Sequence, residues 1–252
     1  MTGLVRAELL KLRSTRTALG LFIVILVITL VPLGILVFAL PKDLLEEAGV
    51  SGFLATASSL VPLVLLVFGI LGMTNEYRHG TITYSYLVTP RRWQVMVVKL
   101  TVYAVVGILT MIVAVALVYL VIKLGGAVRG VRIDASGGST LADYARQIVV
   151  AGLTTTFGVG LGALLRAQVI TVAATLIWAL AVENIIVLIK PAVGRWLPFI
   201  VFDQVRAMEL PDDGAGMLFE QFTRPQAFAL SLAYIAVVSV AAVFISLRRD
   251  VT

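Results

Sequence analysis

The chain contains long apolar runs that are separated by short polar segments. A helix crosses the roughly 30 Å hydrocarbon core of a bilayer in about 20 apolar residues. Six runs suit such a crossing, and they are residues 18–40, 54–73, 100–122, 148–165, 169–189 and 227–247. Because lipid offers no partners to backbone N–H and C=O groups, a helix is the expected conformation of each run. The sequence therefore predicts an all-α integral membrane protein with six transmembrane helices, in a single domain covering residues 1–252.

The fourth and fifth runs are separated by only Arg166-Ala167-Gln168. One uninterrupted helix over both runs would be about 63 Å long, which is twice the thickness of the hydrocarbon core. We therefore predict a tight hairpin between the two runs, with Arg166 and Gln168 at its turn.

Composition excludes several kinds of site. The chain is 60% hydrophobic and 13% charged, whereas soluble domains average about 45–50% and 25%. It has no cysteine and a single histidine, His79, which excludes disulfides, thiolate metal sites and multi-histidine metal sites. The net charge of +6 comes from basic residues that flank the apolar runs, a pattern typical of membrane proteins. We expect no metal site and no nucleic-acid partner.

The positions of the basic residues predict the orientation of the spans. Four of them precede the first run, namely Arg6, Lys11, Arg13 and Arg16, and only Lys42 follows it closely. Basic residues beside the first span favour the cytoplasmic side of the membrane. With six spans, both termini are then expected in the cytoplasm.

Residues 4–16 are typical of a short amphipathic helix beside a membrane. Apolar side chains fall on one helical face, at Val5, Leu9 and Leu12. Glu8 can pair with Lys11 at the i,i+3 spacing, and Arg13 adds a further cation. Such a helix is expected to lie in the headgroup plane with its cations toward anionic lipid. The compatible alternative is a positive flank that only determines topology.

The densest polar cluster follows the second run and covers residues 75–82, called the octet below. After Gly80, residues 81–87 are predicted to form a short helix, which ends before Thr89-Pro90 because proline disfavours helix in the preceding residue. Arg91-Arg92-Trp93 then suits an anchor at the membrane surface. The alternative interpretation is a solvated loop that has no specific function.

Two further features lie inside the spans. Glu183 and Asn184 interrupt the fifth run, and a carboxylate within a span is a functional candidate because burying it is costly. We predict a role in a substrate path or in gating, with a protonated or interfacial carboxylate as the alternative. In the fourth run Gly158 and Gly162 form a G-x-x-x-G pattern, which favours close helix packing within the chain, or else a pathway lining or dimer contact.

The longest outer segment, residues 190–226, is broken by Pro191, Pro198 and Pro211. Its apolar part, residues 196–202, is too short to span and is predicted to be re-entrant or interfacial.

Catalytic motifs are absent from the sequence. It has no G-x-x-x-x-G-K-[ST] phosphate loop and no H-E-x-x-H pattern, and its spans lack an aspartate pair or a serine–histidine arrangement. We therefore predict that the chain itself is not an enzyme.

Two segments carry a resemblance to a known family. Residues 76–82 of the octet read Glu-Tyr-Arg-His-Gly-Thr-Ile, and residues 89–92 after it read Thr-Pro-Arg-Arg. Residues 7–13 read Ala-Glu-Leu-Leu-Lys-Leu-Arg. Together with the predicted six spans and the long outer segment before the last one, they resemble the permease subunits of ATP-binding-cassette (ABC) exporters of the ABC-2 type.

The resemblance implies a cell-membrane exporter in which two permease copies, or this chain and a homologue, enclose the path. Separate ATPase subunits would bind ATP and Mg²⁺, so the chain itself would hold no cofactor. The helix after the second span would be the coupling helix that docks on the ATPase. Its contact region would be Glu76, Tyr77, Arg78, Gly80, Thr81 and Ile82.

Two other functions stay open on the sequence. An anchor or sensor subunit would use the same octet to bind a cytoplasmic partner. An ion-coupled transporter would instead depend on Glu183, although no other acidic residue lies within the predicted spans. The apolar spans suit a drug, peptide or lipid-like cargo without specifying one.

Overall fold

The computed structural model describes residues 2–42, 44–45, 53, 59–88, 91–131, 138–206 and 221–248, and every element that we name in these ranges is a helix. In chain order the helices are α1 Thr2–Ser14, α2 Arg16–Ala39, α3 Val61–Arg78, α4 Thr81–Val88, α5 Arg92–Arg129, α6 Gly138–Leu165, α7 Gln168–Ile189, α8 Pro191–Gly194, α9 Pro198–Arg206 and α10 Arg224–Arg248. A π-helical turn, Trp178–Val182, interrupts α7.

Five of the described helices are long and apolar enough to cross a membrane, which makes the chain a multi-pass membrane protein. They are α2, α5, α6, α7 and α10. The second predicted span is not among them, because α3 ends in the polar residues Asn75-Glu76-Tyr77-Arg78. Residues 54–58 of that prediction lie outside the described ranges. The helix therefore continues past residue 73, the predicted end of the second span, and through the first half of the octet.

The break between the fourth and fifth runs is confirmed. Helix α6 ends at Leu165 and α7 begins at Gln168. Between them Arg166 adopts a φ of 60°, a left-handed conformation that is uncommon for residues other than glycine. This turn lies beside the end of α3, since the Arg78 guanidinium donates a hydrogen bond to Gln168 Oε1 over 3.2 Å. The Arg166 guanidinium also lies 5.2 Å from the centre of the Tyr77 ring.

Helix α6 is the central element of the bundle. Its apolar window is 67% buried, whereas the corresponding windows of the other four long helices are 17–33% buried. Close contact with α3 depends on glycine: a Cβ added at Gly158 would lie 2.2 Å from the Leu66 carbonyl oxygen, and one at Gly69 would lie 2.1 Å from the Thr155 carbonyl oxygen. The predicted packing of the fourth run within the chain is confirmed, and α3 and α6 form one closely packed pair.

Candidate functional site

Four charged side chains from three helices meet at the end of α3. The Lys99 ammonium of α5 donates to Glu8 Oε2 of α1 over 2.9 Å and to Glu76 Oε1 of α3 over 2.8 Å. The Lys11 ammonium donates to Glu8 Oε1 over 2.9 Å and to Glu76 Oε1 over 2.6 Å. We call Glu8, Lys11, Glu76 and Lys99 the charge cluster; it joins the N-terminal helix to two helices of the bundle.

Burial makes this pairing obligatory. Lys99 is 1% exposed, and Glu8 and Glu76 are each 5% exposed. An unpaired charge in such surroundings is strongly unfavourable, whereas two carboxylates and two ammonium groups balance one another. Lys11 and Lys99 both donate to Glu76 Oε1, whereas Glu76 Oε2 is buried and has no hydrogen-bond partner among the described residues.

The two members of the cluster on α1 have shifted pKa values. Burial acts to raise the pKa of the Glu8 carboxyl, but the charges and hydrogen bonds of Lys99 and Lys11 outweigh it and hold that pKa below its ordinary value. Burial acts to lower the pKa of Lys11, but its bonds to Glu76 and Glu8 outweigh this and raise the pKa. Both shifts favour the charged forms that the cluster needs.

The structure divides the predicted contact region of the octet into a buried part and an exposed part. Glu76 and Ile82, the latter 1% exposed, pack inside the chain, and Tyr77 is half-buried beside Arg166. Arg78, Gly80 and Thr81 are exposed. The buried members can therefore act on a partner only by positioning the helices, while the exposed members are available for contact.

Gly80 makes the turn from α3 into α4. Its φ of 66° lies in the left-handed region that glycine adopts at least cost, and its N–H donates to the Tyr77 carbonyl over 3.3 Å. The predicted short helix is confirmed as α4. Two of its large side chains, Tyr84 and Leu87, are 72% and 74% exposed. Neither residue was among the predicted site residues, although exposed aromatic side chains such as Tyr84 are enriched at binding surfaces.

Lys99 was also not among the predicted site residues. Its signal is a lone lysine within the apolar stretch Val97-Val98-Lys99-Leu100. A lysine in such surroundings indicates a buried acidic partner.

The segment predicted as an interfacial helix is helical, as α1, but its buried charge lies on the protein side. Glu8 points into the charge cluster, while Leu9 and Leu10 are 45% and 58% exposed and Arg13 is exposed. The placement of α1 in the headgroup layer stays a prediction.

Glu183 lies at a second site, apart from the charge cluster. Its carboxylate accepts hydrogen bonds from Trp178 Nε1 over 2.8 Å, Phe199 N over 3.2 Å and Ile200 N over 3.0 Å. The two backbone donors belong to the first turn of α9, so Glu183 caps that helix from outside and lies at its positive end. The apolar segment 196–202 thus ends in a short helix held against α7.

Asn184 is exposed and donates to the Leu180 carbonyl in the π-helical turn over 2.9 Å. A path or gating role for Glu183 and Asn184 stays a prediction. In the described part of the chain, no group of three or more histidine, aspartate or glutamate side chains could hold a metal ion.

No model of a known protein family matches the sequence, and no curated protein matches it. A functional assignment therefore rests on the motifs of the chain and on the geometry of the charge cluster and α4.

Proposed function

We propose that this chain is the membrane-spanning subunit of an ABC-2 type exporter. In this proposal α3 is the second of six spans, both termini are cytoplasmic, and the protein lies in the cell membrane. Two copies, or this chain with a homologue, enclose the path. A separate ATPase subunit binds ATP and Mg²⁺ and docks on α4, so this chain needs no catalytic residue of its own.

The observation that carries the proposal is the mechanical connection of α4. The turn at Gly80 joins α4 directly to α3, and Ile82 anchors it in the core. Through Glu76 the same end of α3 is tied to α1 and α5. A displacement of α4 is therefore transmitted to α3, α1 and α5 together, as movement driven by a separate ATPase subunit requires.

The glycine contacts extend this connection. Because α3 and α6 approach each other backbone to backbone at Gly69 and Gly158, a tilt of α3 must move α6 as well. Helix α6 in turn packs against α5 and α10, so a displacement at the surface reaches the centre of the bundle.

The exposed face of α4 provides the test. The chain is co-expressed with a candidate ABC ATPase subunit, and Tyr84→Ala and Arg78→Ala are compared with Tyr119→Ala. Tyr119 is a matched control because it is 38% exposed but lies far along α5 from the charge cluster. We expect Tyr84→Ala to weaken assembly about tenfold, as truncation of an aromatic interface anchor commonly costs 1–2 kcal/mol.

The readouts are co-purification, ATP hydrolysis and ATP-driven transport in vesicles. If all three are the same for Tyr84→Ala, Arg78→Ala and Tyr119→Ala, α4 is not the docking helix. Partner binding without ATP-driven flux favours the anchor or sensor function. Flux that a gradient drives in vesicles without any ATPase favours an ion-coupled transporter.

A further inference from the structure

An apolar groove lies between α1, α2, α3 and α5, next to the charge cluster. It has a volume of about 400 Å³, and its walls include Leu12, Ala18, Phe22, Ile25 and Val106. From Ala18 to Ile25 it follows α2 for about 10 Å. Among the described residues that line this groove, Arg13 carries the only charge.

The end of the groove beside Arg13 of α1, called its mouth below, is positively charged. Lys11 and Lys99 neutralise Glu8 and Glu76 within the charge cluster. Arg13 is exposed and has no carboxylate partner among the described residues, and Arg6 and Arg16 nearby in the sequence are exposed cations as well. An occupant with a negative group at one end therefore complements the mouth of the groove.

A polar cavity of about 280 Å³ adjoins the apolar groove and shares Leu12, Ala18 and Phe68 with it. Its lining also includes Lys11, Thr15, Thr17 and Asn75, which supply ammonium, hydroxyl and amide donors. The carboxylates of Glu8 and Glu76 line it as well, and both are paired with Lys11 and Lys99. Charged, hydroxyl and amide side chains therefore lie at one end of the combined space and aliphatic and aromatic side chains at the other, as an amphiphile requires.

We propose that the apolar groove binds one acyl chain of an anionic phospholipid, whose phosphate lies on the Arg13 guanidinium and whose remaining headgroup occupies the polar cavity. A guanidinium matches phosphate geometry through paired hydrogen bonds. The bound lipid would pack against both α1 and the end of α3. The inference does not depend on the exporter function, and it is tested without an ATPase.

The first experiment compares lipid headgroups. The purified full-length chain in mild detergent is titrated with phosphatidylglycerol and with phosphatidylcholine of identical acyl chains, and bound lipid is counted by native mass spectrometry. We expect phosphatidylglycerol to bind about tenfold more tightly, because both lipids bring a phosphate to Arg13 but only phosphatidylcholine also brings a trimethylammonium cation toward the exposed arginines. Arg13→Gln should abolish the preference. Arg6→Gln, two helical turns away on the same face of α1, should retain it.

The second experiment locates the acyl chain. A phosphatidylglycerol with a photoactivatable acyl chain is expected to label Phe22, Ile25 or Val106. Ala18→Phe fills the passage shared by the apolar groove and the polar cavity and should abolish this labelling, whereas Val24→Phe, on an exposed face of α2, should preserve it. Soluble glycerol phosphate should not compete, because it lacks the chain.

Equal binding of the two lipids by the unaltered protein would overturn the proposal, and that comparison requires no variant to fold. An equal loss of preference in Arg13→Gln and Arg6→Gln would also overturn it, by indicating attraction to general surface charge. So would labelling that is unchanged by Ala18→Phe, or full competition by glycerol phosphate.

Discussion

Removal of Lys99 tests whether the charge cluster holds α1 to the membrane-spanning helices. The Lys99 ammonium is bound to both carboxylates and is 1% exposed. In Lys99→Met, two buried carboxylates share only Lys11, whose side chain is 43% exposed. Removing one partner of a buried ion pair costs about 3–5 kcal/mol. We expect the free energy of unfolding to fall by that amount.

A double variant shows whether charge imbalance causes the loss of stability in Lys99→Met. In the double variant Glu8→Gln, Lys99→Met one carboxylate and one ammonium group remain, so the cluster is balanced again. We expect this protein to be more stable than Lys99→Met alone by about 1–3 kcal/mol, the size usual for directly interacting residues. A purely steric role of Lys99 would instead make the second substitution neutral or further destabilising.

The assay is reversible unfolding by SDS in mild detergent, followed by circular dichroism, with hydrogen exchange of α1 amides as a local readout. Lys123→Met is the matched control, since Lys123 is an exposed lysine of the same helix that lies over the Tyr119 ring and pairs with no carboxylate among the described residues. It should change stability by less than about 0.5 kcal/mol. If Lys99→Met and Lys123→Met unfold alike, the charge cluster does not hold α1 in place.

Three further outcomes are expected. Gly158→Ala should destabilise the protein by about 1–3 kcal/mol, because the added Cβ would lie 2.2 Å from a carbonyl oxygen of α3. Glu183→Ala should speed hydrogen exchange at the Phe199 and Ile200 amides, which donate to the carboxylate, and should lower the free energy of unfolding by about 1–3 kcal/mol. Because the pKa of Glu8 is lowered on folding, its contribution is fully present above the ordinary value of 4.5 and is lost as pH falls through the lower folded value.

Each outcome has its own control. Gly34→Ala lies on α2 with open space around the new methyl group, so it should be neutral or stabilising; similar destabilisation by both substitutions would argue against close packing of α3 and α6. Glu183→Gln keeps one acceptor oxygen and should lose less protection than Glu183→Ala. Glu8→Gln should flatten the acid limb of the stability profile, and an unchanged limb would contradict the pKa argument.

Much of the architecture could be predicted because it depends on local properties of the chain. Five of the six predicted spans correspond to helices that are long and apolar enough to cross a membrane, and the three residues at Arg166 predicted the break between two of them. Gly158 and Gly162 correctly indicated close packing within the chain. Boundaries were less accurate: the helix of the third run extends from Arg92 to Arg129, because helices continue into polar flanks that hydropathy does not count.

The pairing of side chains across helices was decided only by the tertiary structure. Glu8 and Lys99 are 91 residues apart in the chain, and they meet because α1 packs against α5 with these two side chains on the facing sides. Tertiary packing also buries Ile82 and leaves Tyr84 exposed on α4, and it places Glu183 at the start of α9. Hydropathy averages over all faces of a helix. It therefore predicts which segments are helical and apolar, but not how each helix is oriented. Tertiary packing decides which face of each helix meets which neighbour, and the charge cluster exists only because of that packing.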